Sequence, residues 1–501
     1  MTKTPTRSKS SAPRRPGPSS RKSSGASAGK GASRKGRVLT DRQKAAAERR
    51  AALPPEARRT HVEGQRNPQM APRASGQARI TALVIDALAE ALASVLKLDG
   101  PADVLMSRFF RMNHKLGSRD RSLIAEGIFY AVRRLSTLSW MMQPAVPERA
   151  PRLAALVTLA RQHGRDALDE RAVGRDAKAL DSILKLDLSK APAVVQAEVQ
   201  PWLYDAIAAQ YPDASALFEA MKEGAPLDLR VNTLKAKREE VLEILAQHHV
   251  RAEASHYSPE GVRLFSKPGL TSWPLYREGK IDVQDEGSQL IARLVQPRRG
   301  EMVCDFCAGA GGKTLALGAL MRSSGRLYAF DINEKRLAGL TPRMRRAGLS
   351  NVHPVAIRSE HDARVKRLNG KVDRVLVDAP CSGSGTLRRN PDLKWRFDRE
   401  EMERINEIQH SVIRAAAKLV KRGGRLVYAT CSLLERENQQ VIEEFLAEHP
   451  EFELLSAPQI LAAQGVPIEP AHAERFGPYF VMLPPLNDTD GFFGAVLERV
   501  E

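Results

Sequence analysis

The sequence predicts an α/β fold: a mostly parallel, doubly wound sheet in the C-terminal half, preceded by a small α+β module and an all-helical region. Three observations predict it. From residue 298 onward, short apolar runs alternate with helix-length segments, the rhythm of strands joined by crossover helices. Between residues 78 and 215, apolar side chains recur at three-and-four spacing, as on one face of a helix. Between 226 and 290, strand-like and helix-like stretches are mixed over short distances.

Taken in order, the first segment (1–77) is a basic tail rich in Ser, Pro, Gly, Arg and Lys, as in Ser19-Ser20-Arg21-Lys22-Ser23-Ser24. Such composition buries too little apolar surface to offset its ordering entropy, so disorder is expected there, with a short charged helix over 41–53. A helical domain is predicted over 78–215. Ile80, Leu83, Val84, Ala87, Leu88, Leu92, Val95 and Leu96 form one helical face, and a second helix spans 120–138. Further helices are predicted over 153–160 and 195–211. The α+β module (216–297) holds strands at 227–232 and 262–265 and a helix at 238–247. In the last domain (298–501), strands are predicted at 302–306, 327–330, 352–357, 374–377 and 425–429, with helices at 314–321, 335–347 and 404–421.

The 501-residue chain carries 78 Lys/Arg and 59 Asp/Glu, a formal charge of +19. Residues 1–79 hold 20 of those basic residues against 4 acidic ones, so the remainder is nearly neutral. A basic arm on a neutral body suits a polyanion, nucleic acid before membrane. No apolar run reaches the roughly 18 residues that cross a bilayer, and no signal-peptide pattern opens the chain. Four cysteines (Cys304, Cys307, Cys381, Cys431) make no disulfide framework at this size, which fits reduced thiols and a cytoplasmic location.

Two features carry chemistry. The first predicted strand of the last domain runs into Asp305-Phe306-Cys307-Ala308-Gly309-Ala310-Gly311-Gly312-Lys313-Thr314, and Asp331 ends the next. Glycines allow close backbone approach, the following helix offers its amino end, and an acid so placed bonds ribose hydroxyls, so an adenosine-containing ligand fits. A phosphate-binding P-loop would need glycine where Cys307 stands. Cys304 and Cys307 lack a second ligand pair at zinc spacing, so no metal is expected.

The second feature is a pair of thiols at strand ends: Cys381 in Val377-Asp378-Ala379-Pro380-Cys381-Ser382, and Cys431 in Ala429-Thr430-Cys431-Ser432. A thiolate added to carbon 6 of a cytosine makes carbon 5 nucleophilic enough to take an electrophilic methyl group. Thiols suit this because they attack strongly and leave readily. Asp378 stands where it assists at the base edge. Taken singly, either cysteine reads as a small buried hydrophobe.

These segments, together with Arg388-Arg389-Asn390-Pro391-Asp392, Arg230-Val231-Asn232-Thr233, 283–288 and Asp490-Gly491-Phe492-Phe493, resemble the Sun-type RNA cytosine-5 methyltransferases. The resemblance covers the chain from about residue 226 to its end. The helical region, with Leu116-Gly117-Ser118-Arg119-Asp120-Arg121, is similar to the NusB-like RNA-binding domain of the ribosomal RNA small subunit methyltransferase B branch. The resemblance implies a Rossmann-like methyltransferase domain that uses S-adenosyl-L-methionine to form 5-methylcytosine in 16S ribosomal RNA, as a monomer. It implies Cys431 as the nucleophile, Cys381 as the cysteine that helps release the product, and Cys307, Ala308, Gly309, Ala310, Gly311, Gly312, Lys313, Asp331 and Asp378 as cofactor-binding positions. Gly309-Ala310 replaces the family's usual Ala-Pro, and the acid usual after the third strand is unassigned within Arg358-Ser359-Glu360-His361-Asp362. Two rival readings remain. One is a methyltransferase acting on transfer RNA or DNA; the other is an RNA-binding assembly factor with a vestigial catalytic half.

Overall fold

Helix α1 (Ala82–Val95) turns Val84, Ile85, Leu88, Ala91, Leu92 and Val95 inward, and all are buried. It crosses α3 (Ser118–Arg133) so closely that a Cβ on Gly127 would stand 2.8 Å from Leu88 Cδ2. Between them lies α2 (Ala102–Met112). With α4 (Leu135–Met141), α5 (Pro151–His163) and α6 (Ala177–Leu184), these helices enclose one apolar core. This computed structural model describes residues 79–266 and 268–501. The expected disordered tail and the helix over 41–53 lie outside the described residues.

The helix predicted over 120–138 is two helices, α3 and α4, because the backbone leaves helical geometry at Arg134 (φ −118°, ψ 35°). The stretch 195–211 is interrupted as well. Glu198 adopts φ 59°, and Pro201 opens α7 (Pro201–Gln210) at the first-turn position that proline favours. Glu198 is buried, and its carboxylate accepts from the amides of Ser136 (3.0 Å) and Thr137 (3.2 Å), capping the start of α4. The α7 side chains Leu203 and Ile207, and Leu217 and Phe218 of α8 (Ala214–Met221), pack into the core of the C-terminal sheet rather than into the bundle.

A four-stranded sheet follows. It comprises β1 (Leu227–Val231), β2 (Ala252–Ala254), β3 (Gly261–Leu264) and β4 (Ile281–Val283), ordered β2-β3-β1-β4 and antiparallel throughout. Helix α9 (Arg238–Gln247) covers it through Val241 and Leu245. Helix α10 (Glu286–Val295), capped by Asp285, leads into the last domain.

There the predicted rhythm appears. Strands β5 (Met302–Asp305), β6 (Arg326–Asp331), β7 (Val352–Ala356), β8 (Val372–Asp378) and β9 (Val420–Thr430) pair in parallel in the order β7-β6-β5-β8-β9. Helix α11 (Gly312–Leu320) follows β5, and α14 (Arg399–Ala417) precedes β9. The single helix predicted over 335–347 is α12 (Glu334–Ala338) and α13 (Leu340–Ala347), divided at Gly339. The sheet then extends antiparallel through β10 (Phe452–Leu455), β11 (Phe480–Met482) and β12 (Phe492–Arg499), with β12 beside β9. Helix α15 (Gln439–Glu448) buries Val441, Ile442 and Phe445 against it. The strand order reverses at β5, whose neighbours are β6 and β8, and the carboxyl ends of open sheets receive ligands at such a crevice. Among the described residues, no helix is long and apolar enough to cross a membrane.

Candidate active site

The loop after β5 is shaped by backbone torsion. Gly309 and Gly311 take φ of 55° and 86°, the left-handed region that side chains disfavour. A Cβ on Gly311 would stand 2.2 Å from Leu340 Cδ1, and one on Gly309 would stand 2.9 Å from Arg336 Nη2. The Ala308 amide donates to Phe330 O at 2.8 Å and the Gly309 amide to Asp331 Oδ2 at 2.7 Å, tying the loop to the end of β6. The other Asp331 oxygen accepts from the Asn333 amide at 2.6 Å. Beneath the loop, Thr314 Oγ1 donates to Asp305 Oδ2 at 2.6 Å. Asp305 is fully buried, and desolvation pushes its carboxyl up to about 7.

Lys313, the second residue of α11, reaches across to Asp378 at the end of β8, with Nζ 2.7 Å from Oδ2. Burial opposes its charge, but Asp378 outweighs burial and raises the ammonium's pKa. Cys307 is half-buried and Cys304 buried, and desolvation pushes both thiols up.

Cys381 and Cys431 come from the ends of neighbouring strands β8 and β9, and their Sγ atoms lie 3.4 Å apart. Both are half-buried. The hydrogen bond to Cys431 and then desolvation push the Cys381 thiol well up. The structure thus brings the glycine loop, Lys313, Asp331, Asp378 and both cysteines to one edge of the sheet. The 358–362 segment follows β7. Asp362 accepts from the amides of Arg358 and Arg364, and Glu360 accepts from Ser411 Oγ at 2.5 Å.

Glu437 and Asn438 escaped sequence reasoning. Glu437 is fully buried and accepts from Ser382 N (2.8 Å), Ser382 Oγ (2.6 Å), Gln409 Nε2 (3.0 Å) and Ser432 Oγ. Asn438 donates to Ser432 O at 2.9 Å and accepts from Thr430 Oγ1 at 2.5 Å. The available signal was a Glu-Asn pair shortly after Thr-Cys-Ser, a pair that reads in isolation as the polar start of a helix.

The remaining motifs hold the modules together. Arg389 pairs with Asp285 at 2.7 Å and with Asp490 at 2.5 Å, and donates to Pro226 O at 2.9 Å. Arg263 of β3 pairs with Asp228 at 2.8 Å and Asp488 at 3.0 Å, while Arg388 reaches Asp488 at 2.9 Å. Asn232 Nδ2 donates to Gly279 O (2.9 Å) and Ala347 O (2.8 Å), fastening the small sheet to α13. On the helical side, Lys394 Nζ and Trp395 Nε1 donate to Arg133 O and Val132 O, each at 2.7 Å.

The family described as 16S rRNA methyltransferase RsmB/F matches residues 292–498, and the ferredoxin-like domain of RsmF/B-like methyltransferases matches residues 200–270. The probable ribosomal RNA small subunit methyltransferase B of Synechocystis is 31% identical over 443 residues, 81% of this chain and 97% of that protein. The Bacillus subtilis counterpart is 36% identical over 265 residues, 53% of this chain, and the match spans 58% of that protein's length. Among solved structures, PH0851 superposes with a TM-score of 0.70 at 26% identity, covering 84% of this chain and all of that one. A methyltransferase homologue from Pyrococcus horikoshii reaches 0.53 at 30% identity, covering 63% of this chain and all of its own. With a relative matched over almost its whole length and the family model laid on the very domain that carries the thiols, the chain belongs to the Sun-type, ribosomal RNA small subunit methyltransferase B family.

Proposed function

We propose that this protein is an S-adenosylmethionine-dependent methyltransferase that forms 5-methylcytosine in 16S ribosomal RNA through a covalent bond from Cys431 to the ring. One observation carries the reading: two thiols 3.4 Å apart at adjacent strand ends, beside the Lys313–Asp378 pair. The family description and the relatives' names supply the RNA class.

The residues present fit the cofactor. Gly309 and Gly311, packed too closely on Arg336 and Leu340 to carry a side chain, shape the turn between β5 and the amino end of α11, and Asp331 stands at the end of β6 to accept from ribose hydroxyls. When bound there, S-adenosylmethionine supplies an electrophilic methyl group. The chain's own residues do the rest. Cys431 is the sulfur that attacks, with the charged Lys313–Asp378 pair near it. A bond from Cys431 Sγ to carbon 6 makes carbon 5 nucleophilic. After carbon 5 has gained its methyl, Cys381 as a thiolate takes the carbon 5 proton, and the electron pair of that C–H bond re-forms the C5–C6 double bond and expels Cys431 Sγ as a thiolate. Asp378 assists at the base edge, and Cys381 serves the release step. A target inside paired RNA must be unstacked before Cys431 can reach it. In this reading the helical bundle is the NusB-like RNA-binding domain, the small sheet contacts RNA, and the protein acts in the cytoplasm as a monomer. The basic tail would add salt-dependent affinity without sequence choice.

The test is covalent trapping. Cys381→Ala should accumulate an enzyme–RNA adduct that survives denaturant, and Cys431→Ala should form none. The opposite pattern would exchange the two roles, and no adduct in either variant would end the covalent mechanism.

A further inference from the structure

Two reactive loops from different strands must meet to within a bond length's tolerance, and one backbone bond, Gly385 N to Cys431 O at 2.9 Å, joins them at the cysteines. The question is what sets their separation. Glu437 reaches both. Its Oε1 accepts from the Ser382 amide (2.8 Å) and Gln409 Nε2 (3.0 Å), and its Oε2 accepts from the hydroxyls of Ser382 (2.6 Å) and Ser432. The same Gln409 amide group donates to Pro380 O at 2.8 Å, so the residues on both sides of Cys381 are bound into one unit. The Glu437 backbone carbonyl accepts from Tyr428 OH at 2.7 Å, which anchors the hub to buried β9.

Resting on the covalent reading above, we propose that Glu437 is the positioning residue that holds Cys381 against Cys431 for release of the methylated base. A buried carboxylate is an expensive way to join two loops, because desolvation must be offset by several well-aimed donors. Here every donor is neutral, and among the described residues Glu437 has no ion-pair partner. Cohesion alone would be served as well by apolar side chains of similar volume. What a carboxylate adds is direction: four lone-pair positions fix four donors in space.

The division of labour with Asn438 makes the proposal specific. Asn438 alone grips both neighbours of Cys431, through Thr430 Oγ1 and Ser432 O. The Cys431 loop therefore keeps its shape when Glu437 is altered. The Cys381 loop has ties of its own further along, from Gly385 N to Cys431 O (2.9 Å) and from the Leu433 amide to the Ser384 hydroxyl (2.9 Å). The residues that flank Cys381 nevertheless lean on Glu437: two of its donors belong to Ser382 and a third is Gln409, which grips Pro380, whereas one belongs to Ser432. Weakening Glu437 displaces Cys381 more than Cys431. Attack on carbon 6 persists, and release fails.

The experiment uses the full chain, S-adenosylmethionine and a 16S ribosomal RNA transcript, with wild-type protein beside Glu437→Gln, Ser382→Ala, Ser432→Ala and Cys381→Ala. Glutamine keeps the volume of Glu437 and can still accept from the Ser382 amide, and Ser382→Ala serves if that variant does not fold. Glu437→Gln and Ser382→Ala should accumulate denaturant-resistant adduct as Cys381→Ala does. Their turnover should fall up to about 100-fold, the scale of a misplaced reacting group, while affinity for S-adenosylmethionine is unchanged. Ser432→Ala, on the side that Asn438 secures, should show less adduct than Ser382→Ala. Adduct in Cys381→Ala but in neither Glu437→Gln nor Ser382→Ala would overturn the inference alone. No adduct even in Cys381→Ala would overturn the underlying reaction and this inference with it.

Discussion

The loop after β5 and the loops after β8 and β9 sit on the same edge of one sheet and are built in opposite ways. The first gets its shape from its own backbone, two glycines at positive φ, and needs only short ties to Asp331 and Phe330. The other two are joined to each other by side chains, Glu437 and Gln409 above all, although Gly383 also takes a positive φ (68°) in the loop after β8. The difference follows from what each must do. A loop that wraps a ligand needs backbone amides close to it, which local torsion supplies. Two thiols that act on one ring need a fixed mutual distance, which only a tertiary cross-link can impose.

Changes on either side should therefore separate cleanly, and the largest effect tests the thiol side. Cys431→Ser should abolish methylation of RNA while leaving the calorimetric affinity for S-adenosylmethionine unchanged. Methylation at the wild-type rate would remove the distinction at its root. On the other side, Gly311→Ala forces a methyl group against Leu340 and a side chain into left-handed backbone. Urea unfolding should show a loss of about 2–4 kcal/mol, from overpacking plus the torsional penalty. Cofactor affinity should fall with it, whereas the alkylation rate of Cys381 and Cys431 should not change.

A smaller effect is expected at Asp331, where alanine removes the acceptor that ties Gly309 and faces the ligand edge. Cofactor affinity should weaken by about tenfold or more, the scale of a lost charged hydrogen bond, as read by calorimetry. The least conspicuous test lies under the loop. Burial holds Asp305 up to about 7, above its ordinary value near 4, so the folded protein binds the proton more tightly than the unfolded chain. Its contribution is full at low pH and is lost as pH rises from about 4 to about 7. Asp305→Asn cannot ionise and keeps an acceptor for Thr314. The variant should gain stability relative to wild type across that window, by at most about 1.4 kcal/mol per pH unit, measured by urea unfolding at stepped pH. A flat difference would mean that Asp305 is ionised at little cost.

Parallel strands and their loops were legible because each carries its own signal: a run of apolar residues, then glycines or Pro-Cys, then helical periodicity. Gly309, Gly311, Lys313, Asp331, Asp378, Cys381 and Cys431 all lie within a few residues of such a strand end. The antiparallel strands β10, β11 and β12 were not named; β10 and β11 are short, and β10 pairs only with β12, some 40 residues further on. Helix interruptions at Arg134, Glu198 and Gly339 were also missed. At Glu198 the reason is explicit, because its carboxylate caps α4, more than 60 residues earlier.

By itself the sequence determined which residues stand at strand ends and which torsions the glycine loop must adopt, because both depend on neighbours in the chain. Only the tertiary structure decided that two sulfurs lie 3.4 Å apart and that one carboxylate joins their loops. Distances between residues some 50 positions apart are set by how the sheet packs, and no local pattern encodes them.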